Sequence, residues 1–367
     1  MTDIPDRFDS LEQRIIHSFL ATMPPLVPTD EATAPLDSQR ELWALINAAL
    51  QTLYAKPETL TSSRTPDRCF ETFAPSKSDP ALYKAMGSAL SKLERLGARI
   101  AELVNAGRVV DDRLVVSAGR ISLTRPFVQT LSGLGFATDT TDSETVLTCP
   151  GHRRALPALQ FLAKKVSTIG DKHMAARVFW NCCLVDDYAQ FGRSIYMDEG
   201  SPDSTLTTAI RRLLDHGYWD HATPDHGWRY DVIRNHGDRS LGVCTLEAAK
   251  HYWGLSVYHD IRWRQPVTLA LRLPRYRDVL ENFDELPAAA QQLVAARTKR
   301  CDGCGFCTQM ARGDARSRAA VTVNHGRKLS LCPMFPVWSF QTTDLTGDTV
   351  EELITVLDAA NDIYSGV

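Results

Sequence analysis

The sequence predicts an α+β protein, predominantly helical, closing on a small C-terminal Cys₄ metal-binding subdomain that contains a β-hairpin and a terminal helix. Three observations carry this. Apolar residues recur at helical spacing in several long segments, as in Leu42, Trp43, Leu45, Ile46, Leu50 and Leu53. Short β-branched runs broken by turn residues interrupt them, as in Val109-Val110, Asp111-Asp112 and Leu114-Val115-Val116. Four thiols, Cys301, Cys304, Cys307 and Cys332, then fall close together near the end of the chain. The organisation that follows is a helical region over 1–107, a central α+β region over 108–295 and a metal-binding subdomain over 296–367.

Taken in order, Asp37 or Ser38 is the expected cap of a first amphipathic helix running to Leu53. Pro, Ser and Thr then mark 55–80 as a linker. Asp79-Pro80 opens a long helix with Met86, Leu90, Leu93, Ile100 and Leu103 facing a core, stopped near Asn105 and Gly107. Strands follow at 109–110, 114–116 and 121–123, then a helix from Thr124-Arg125-Pro126 to Gly135. A strand pair at 136–138 and 145–149 precedes a helix over about 154–166. This module lacks a strongly basic recognition helix, which argues against its reading DNA. One helix is expected over 171–191 and another over 205–216, stopped by Gly217. Gly, Asp, Pro and His mark 218–240 as loop, with helix again at 246–255, a strand at 267–273 and a helix at 287–298.

Composition narrows the function classes. The 44% hydrophobic and 23% charged fractions are those of a globular chain, and the net charge of −3 creates no global field that recruits nucleic acid or anionic membrane. No apolar run approaches the roughly 18–20 residues of a membrane helix, and the acidic start Met1-Thr2-Asp3-Ile4-Pro5-Asp6 is no signal peptide. A cytoplasmic location is expected. There thiols stay reduced, so Cys69, Cys149, Cys182, Cys183 and Cys244 read as small buried hydrophobes rather than disulfide partners. Phosphate-binding glycine loops and the Gly-x-Ser-x-Gly elbow are missing from the sequence.

The chemistry concentrates in Cys301-Asp302-Gly303-Cys304-Gly305-Phe306-Cys307 and the later Cys332-Pro333. Cysteines at two-residue intervals wrap the backbone around one point, and Gly303 and Gly305 permit the tight turns this needs. Four thiolates facing one centre repel one another unless a cation holds them, so Cys301, Cys304, Cys307 and Cys332 are the expected ligands of a single metal centre. Two centres fit: a [4Fe–4S] cluster or Zn²⁺. The loop resembles those that wrap [4Fe–4S] clusters in bacterial-type ferredoxins, where proline often follows the remote ligand. The resemblance spans seven residues and one dipeptide, and implies a single cluster. It departs in placing the remote cysteine 25 positions after Cys307. The same loop resembles a zinc knuckle, in which glycine lets amides point at sulfur. Residues 320–323 and 327–331 flank Asn324-His325-Gly326 as a hairpin, the device by which zinc ribbons and treble clefs join distant ligands. His325 is an outside candidate ligand. An Asp348–Glu351 capping pattern then starts a terminal helix with Val350, Leu353, Ile354, Leu357 and Tyr364 on one face.

Around the box, Arg297, Lys299, Arg300, Arg312, Arg316, Arg318, Arg327 and Lys328 outnumber Asp302 and Asp314. Cations there offset the charge of a Cys₄ centre, and leave room for a local phosphate contact. A second concentration, His216, His221, His226, His236, His251 and His259 with Trp219, Trp228, Trp253 and Trp263, has the composition of a small-molecule pocket. Within it Glu247 and His251 share a face if helical, and Asp225, Asp231 and Asp238 add carboxylates. The partner expected is a small molecule or another protein, of a kind the sequence does not specify.

Overall fold

The computed structural model describes residues 10–60, 80–197, 205–224, 227–235, 252–258, 268–273, 276–298, 321–324, 328–331, 340–342 and 346–365. The chain is α+β and mostly helical, and its packing divides it into two units: 1–195 with 222–229 and 259–266, and 196–221 with 230–258 and 267–367. Among the described residues, no helix is long and apolar enough to cross a membrane.

The first unit is built around helices α1 (Leu11–Ala21), α2 (Leu36–Ala55), α3 (Pro80–Ala106), α5 (Ala155–Ser167) and α6 (Lys172–Trp180). The expected faces of α2 and α3 are those that bury: Leu42, Leu50, Leu53, Leu93 and Leu103 are fully enclosed. Helix α2 starts at Leu36, two or three residues earlier than a cap at Asp37 or Ser38 would place it, and neither side chain caps it. Those side chains serve α5 instead. Ser38 Oγ accepts from the Ala158 amide at 2.9 Å and Glu41 Oε2 from the Arg154 amide at 2.7 Å, satisfying donors that every helix start leaves open. Trp180 crosses α3 at Gly97, where a Cβ would stand 2.8 Å from its indole nitrogen; that nitrogen donates to the Leu93 carbonyl.

A four-stranded antiparallel sheet follows α3, in the order β1 (Arg108–Val110), β2 (Arg113–Ser117), β4 (Glu144–Thr148), β3 (Ala137–Thr140). Asp111 and Asp112 join β1 to β2 with φ of 47° and 58°, the pair of positive angles of a type I′ hairpin turn. Leu114, Val116 and Leu147 bury the inner face. Helix α4 (Arg125–Gly133) connects the two hairpins and stops at Gly135, whose φ is 91°. Residues 121–123 form no strand: the Ser122 carbonyl accepts instead from Arg99.

The single helix expected over 171–191 is two. Asp171 caps α6, and Asp187 caps α7 (Tyr188–Tyr196) through the Ala189 amide. Between them Cys182 takes a φ of 54°, and the turn is held by Lys165, whose ammonium donates to the carbonyls of Leu184 and Val185 and to Asp186. Two acidic caps and a tethered cation outweigh the apolar periodicity here.

In the second unit α8 (Thr205–Asp215) ends at Gly217, with φ of 83°. A five-stranded sheet, of which 222–224 and 228–229 belong to the first unit and the rest to the second, has the order β11 (Phe340–Thr342), β8 (Thr268–Arg272), β7 (Tyr252–Tyr258), β6 (Trp228–Asn235), β5 (Trp219–Pro224). Two expectations fail here. The stretch 218–240, read as loop with little strand, holds strands β5 and β6 over most of its described residues, and the described end of the helix read over 246–255 is strand β7. Trp228, Tyr230 and Val232 alternate along β6, as do Trp253, Leu255 and Val257 along β7, and all are buried. Aromatic and β-branched residues therefore prevail over the polar residues among them. The hairpin expected in the tail forms: β9 (Val321–Asn324) pairs with β10 (Lys328–Leu331). Helices α9 (Tyr276–Glu281), α10 (Ala288–Arg297) and α11 (Gly347–Ser365) complete the unit. The predicted stripe of α11 is buried, its Tyr364 ring lies 5.2 Å from that of Trp253, and Arg212 of α8 pairs with Glu351 and Asp358 along it.

Candidate functional site

Cys301, Cys304, Cys307 and Cys332 lie outside the described residues, as do His325 and most of the basic residues around them. The described residues nearest the box are those up to Thr298 before it and the strand pair 321–324 and 328–331 after it. Helix α10 leads into it and ends at a buried Thr298, whose hydroxyl is hydrogen-bonded to Tyr276. Burial pushes the Tyr276 phenol above its ordinary range, so it stays a neutral partner of that hydroxyl. After the box comes the β9–β10 hairpin. Its register sets Leu331 opposite Val321, so the chain leaves the hairpin beside the point where it entered.

The thiols outside the box bear out their reading as buried hydrophobes where they are described. Cys149, Cys182 and Cys183 are free and buried. Burial raises Cys149 and Cys183 from 9.0 to about 12, and Cys182 still further in the same direction. Cys69 and Cys244 lie outside the described residues. A thiol raised to about 12 is some 10³-fold poorer in thiolate at pH 8 than an ordinary one. Iodoacetamide at pH 8 should thus leave Cys149, Cys182 and Cys183 unmodified in the native chain and label them after denaturation, read by peptide mass. Because the folded protein prefers the protonated thiols, they favour folding fully below pH 9.0, and that contribution falls as pH rises toward 12.

Of the His/Trp stretch, His216, Trp219, His221, Trp228 and Trp253 are among the described residues. His226, His236, His251, His259, Trp263, Glu247, Asp225 and Asp238 lie outside the described residues. His216 is exposed at the end of α8, with Nδ1 2.6 Å from the Arg212 carbonyl oxygen. Trp228 belongs to the first unit's core: its indole donates to Asn181 Oδ1 at 3.2 Å, and its ring meets Phe191 at 4.6 Å and Tyr188 at 5.8 Å. Trp253 belongs to the second unit's core and donates to Asn361 Oδ1. Both tryptophans thus act as packing anchors with one satisfied polar end.

The sequence reading named Asp231 as a carboxylate but missed the polar set it joins on one face of the second sheet. Asp231, 1% exposed, accepts from the hydroxyl of Ser256, itself fully buried. Arg272 shares their face, because Gly254 pairs with Arg272 and Ser256 with Ala270. On the other face the Tyr230 hydroxyl donates to Asp220 at 2.8 Å. A buried carboxylate, hydroxyl and guanidinium on adjacent strands fix the register of those strands. Only the strand assignment could have revealed them, since Asp231 and Ser256 stand twenty-five positions apart. Among the described residues, no group of three or more His, Cys, Asp or Glu side chains is placed to hold a metal. No protein-family model, curated protein or solved structure matches the chain.

Proposed function

We propose that the chain is a cytoplasmic metalloprotein in which Cys301, Cys304, Cys307 and Cys332 hold one metal centre, with an iron–sulfur redox or sensing role. The observation that carries this is the thiol pattern itself: three cysteines at two-residue intervals with Gly303 and Gly305 between them, and Cys332-Pro333 beyond. A [4Fe–4S] cluster held there would supply one-electron transfer or a reactive sensing centre. The rest of the chain supplies the frame: α10 before the box, the β9–β10 hairpin after it, and α11 packed on α8 and Trp253. The buried thiols elsewhere stay protonated and so do not compete for the metal.

The hairpin favours a second reading, a binding or regulatory protein with a purely structural Zn²⁺. A knuckle followed by a hairpin is how zinc subdomains bring remote ligands together, and the hairpin forms with Val321 opposite Leu331. The same four thiols fit either centre. Colour and metal content separate them. Purified without oxygen, the protein is expected to be brown, with broad absorption near about 400 nm and iron together with acid-labile sulfide. A colourless preparation with about one zinc per chain would overturn the redox reading in favour of the structural one.

A further inference from the structure

The outward face of the first unit's sheet carries a pattern that complements itself. Alternation sends Leu114, Val116 and Leu147 inward, so the residues between them point outward. Strand register arranges them in rows. The middle row reads Arg108, Val115, Val146, Asp139 across β1, β2, β4 and β3. The next level holds the pair Val110 and Arg113 on β1 and β2, and the pair Thr148 and Ala137 on β4 and β3, one step beyond Leu114 opposite Leu147. Val110, 41% exposed, is the one large apolar side chain among the described residues that stands open to solvent. Val115 and Val146 are half-buried, while Arg108, Arg113, Asp139 and Ala137 are exposed.

A two-fold axis parallel to the strands, lying between two such sheets, reverses the strand order and keeps each row at its own level. The middle row then meets itself reversed. Arg108 lies over the second copy's Asp139, and Val115 over the second copy's Val146. At the next level Val110 meets Ala137 and Arg113 meets Thr148. No like charges face each other in either row. Arg108 and Asp139 stand on opposite edge strands, roughly 14 Å apart by strand spacing, too far to pair within one chain.

We infer that this face is an isologous interface for a second copy of the chain, with paired Arg108–Asp139 bridges flanking a valine centre. Four strands by two or three rows cover only about 300 Å² per partner. That is well below the roughly 800 Å² of a standard stable interface, so the dimer is weak, with Kd on the order of 10–100 µM. The aligned packing of twisted sheets, at about 30°, leaves the central row in register.

The test is sedimentation velocity of the full chain from about 5 to 500 µM, a range that brackets that Kd. The mean mass of the native protein should climb from monomer toward dimer. Arg108→Asp and Asp139→Arg should each weaken association at least about tenfold, because like charges then oppose twice per dimer. The double variant Arg108→Asp/Asp139→Arg should restore it, which loss of fold cannot imitate. A native chain that stays monomeric throughout overturns the inference. So does a dimer indifferent to Arg108→Asp, or a double variant that fails to associate.

Discussion

Cys304→Ser is expected to strip most of the metal from the protein and to unfold the segment that follows α10, while leaving the first unit folded. Cys304 is the middle thiol of the run, separated from Cys301 and from Cys307 by two intervening residues each, so its loss removes the ligand common to both Cys-x-x-Cys steps. Metal assembly and folding are one event in small thiolate sites, worth on the order of 10 kcal/mol in isolated zinc-binding peptides. A hydroxyl does not replace that bond, because serine stays protonated near neutral pH. The first unit keeps its own core of α1, α2, α3, α5 and α6 and no box ligand. Two measurements read the result: metals per chain by elemental analysis, and the protease sensitivity of the chain beyond Arg297. Cys149→Ala is the control, since that thiol is buried in the first unit and should leave metal content as it was. Unchanged metal and unchanged proteolysis in Cys304→Ser would remove the four-thiol centre from consideration under both readings of the metal.

Helices were legible in the sequence wherever one side of an element faces a core and the other faces water. The stripes of α2, α3 and α11 are of this kind, and the structure buries the residues the spacing singles out, except Trp43, which is half-buried. Hairpins with turn residues at fixed offsets were legible for the same reason: Asp111-Asp112 and the His325-Gly326 region each sit between alternating runs. What failed was structure specified at a distance. Strands β6 and β7 are buried on both faces, so their polar members Asp231 and Ser256 interrupt the pattern instead of marking an outer side. The break between α6 and α7 rests on Lys165, which comes from a different helix. Helix starts misled in a similar way, since Ser38 spends its oxygen on α5 and not on α2. The thiol pattern stood out because Cys301, Cys304 and Cys307 are neighbours in the sequence, and it lies outside the described residues. The rows of Arg108, Val115, Val146 and Asp139 were not, because register across four strands belongs to the sheet alone.

Gly254→Ala should be among the most destabilising single-atom-group changes in the second unit. Gly254 sits in β7 with φ of 153°, a region that side chains rarely adopt. An added Cβ would stand 2.0 Å from the Val232 carbonyl oxygen and 2.7 Å from the Ile233 Cα. Both are backbone atoms of the adjacent strand, so no rotamer change relieves the contact; β6 and β7 must separate. Separation breaks the Asp231–Ser256 hydrogen bond, and it moves Trp253, the anchor that holds Asn361 and Tyr364 of α11. Strain and lost hydrogen bonding together suggest a loss of about 3 kcal/mol or more, which lowers the melting point of a unit this size by roughly 6–12 °C. The matched control carries the opposite sign. Gly87 lies in the exposed part of α3 with nothing within 4 Å of its would-be Cβ, so Gly87→Ala should raise stability by about 0.5–1 kcal/mol through helix propensity alone. One chemical change at two sites then separates the value of a side chain from the value of its absence. If Gly254→Ala melts with the native protein in calorimetry, the close approach of β6 and β7 is wrong, and with it the polar face that places Asp231 beside Ser256.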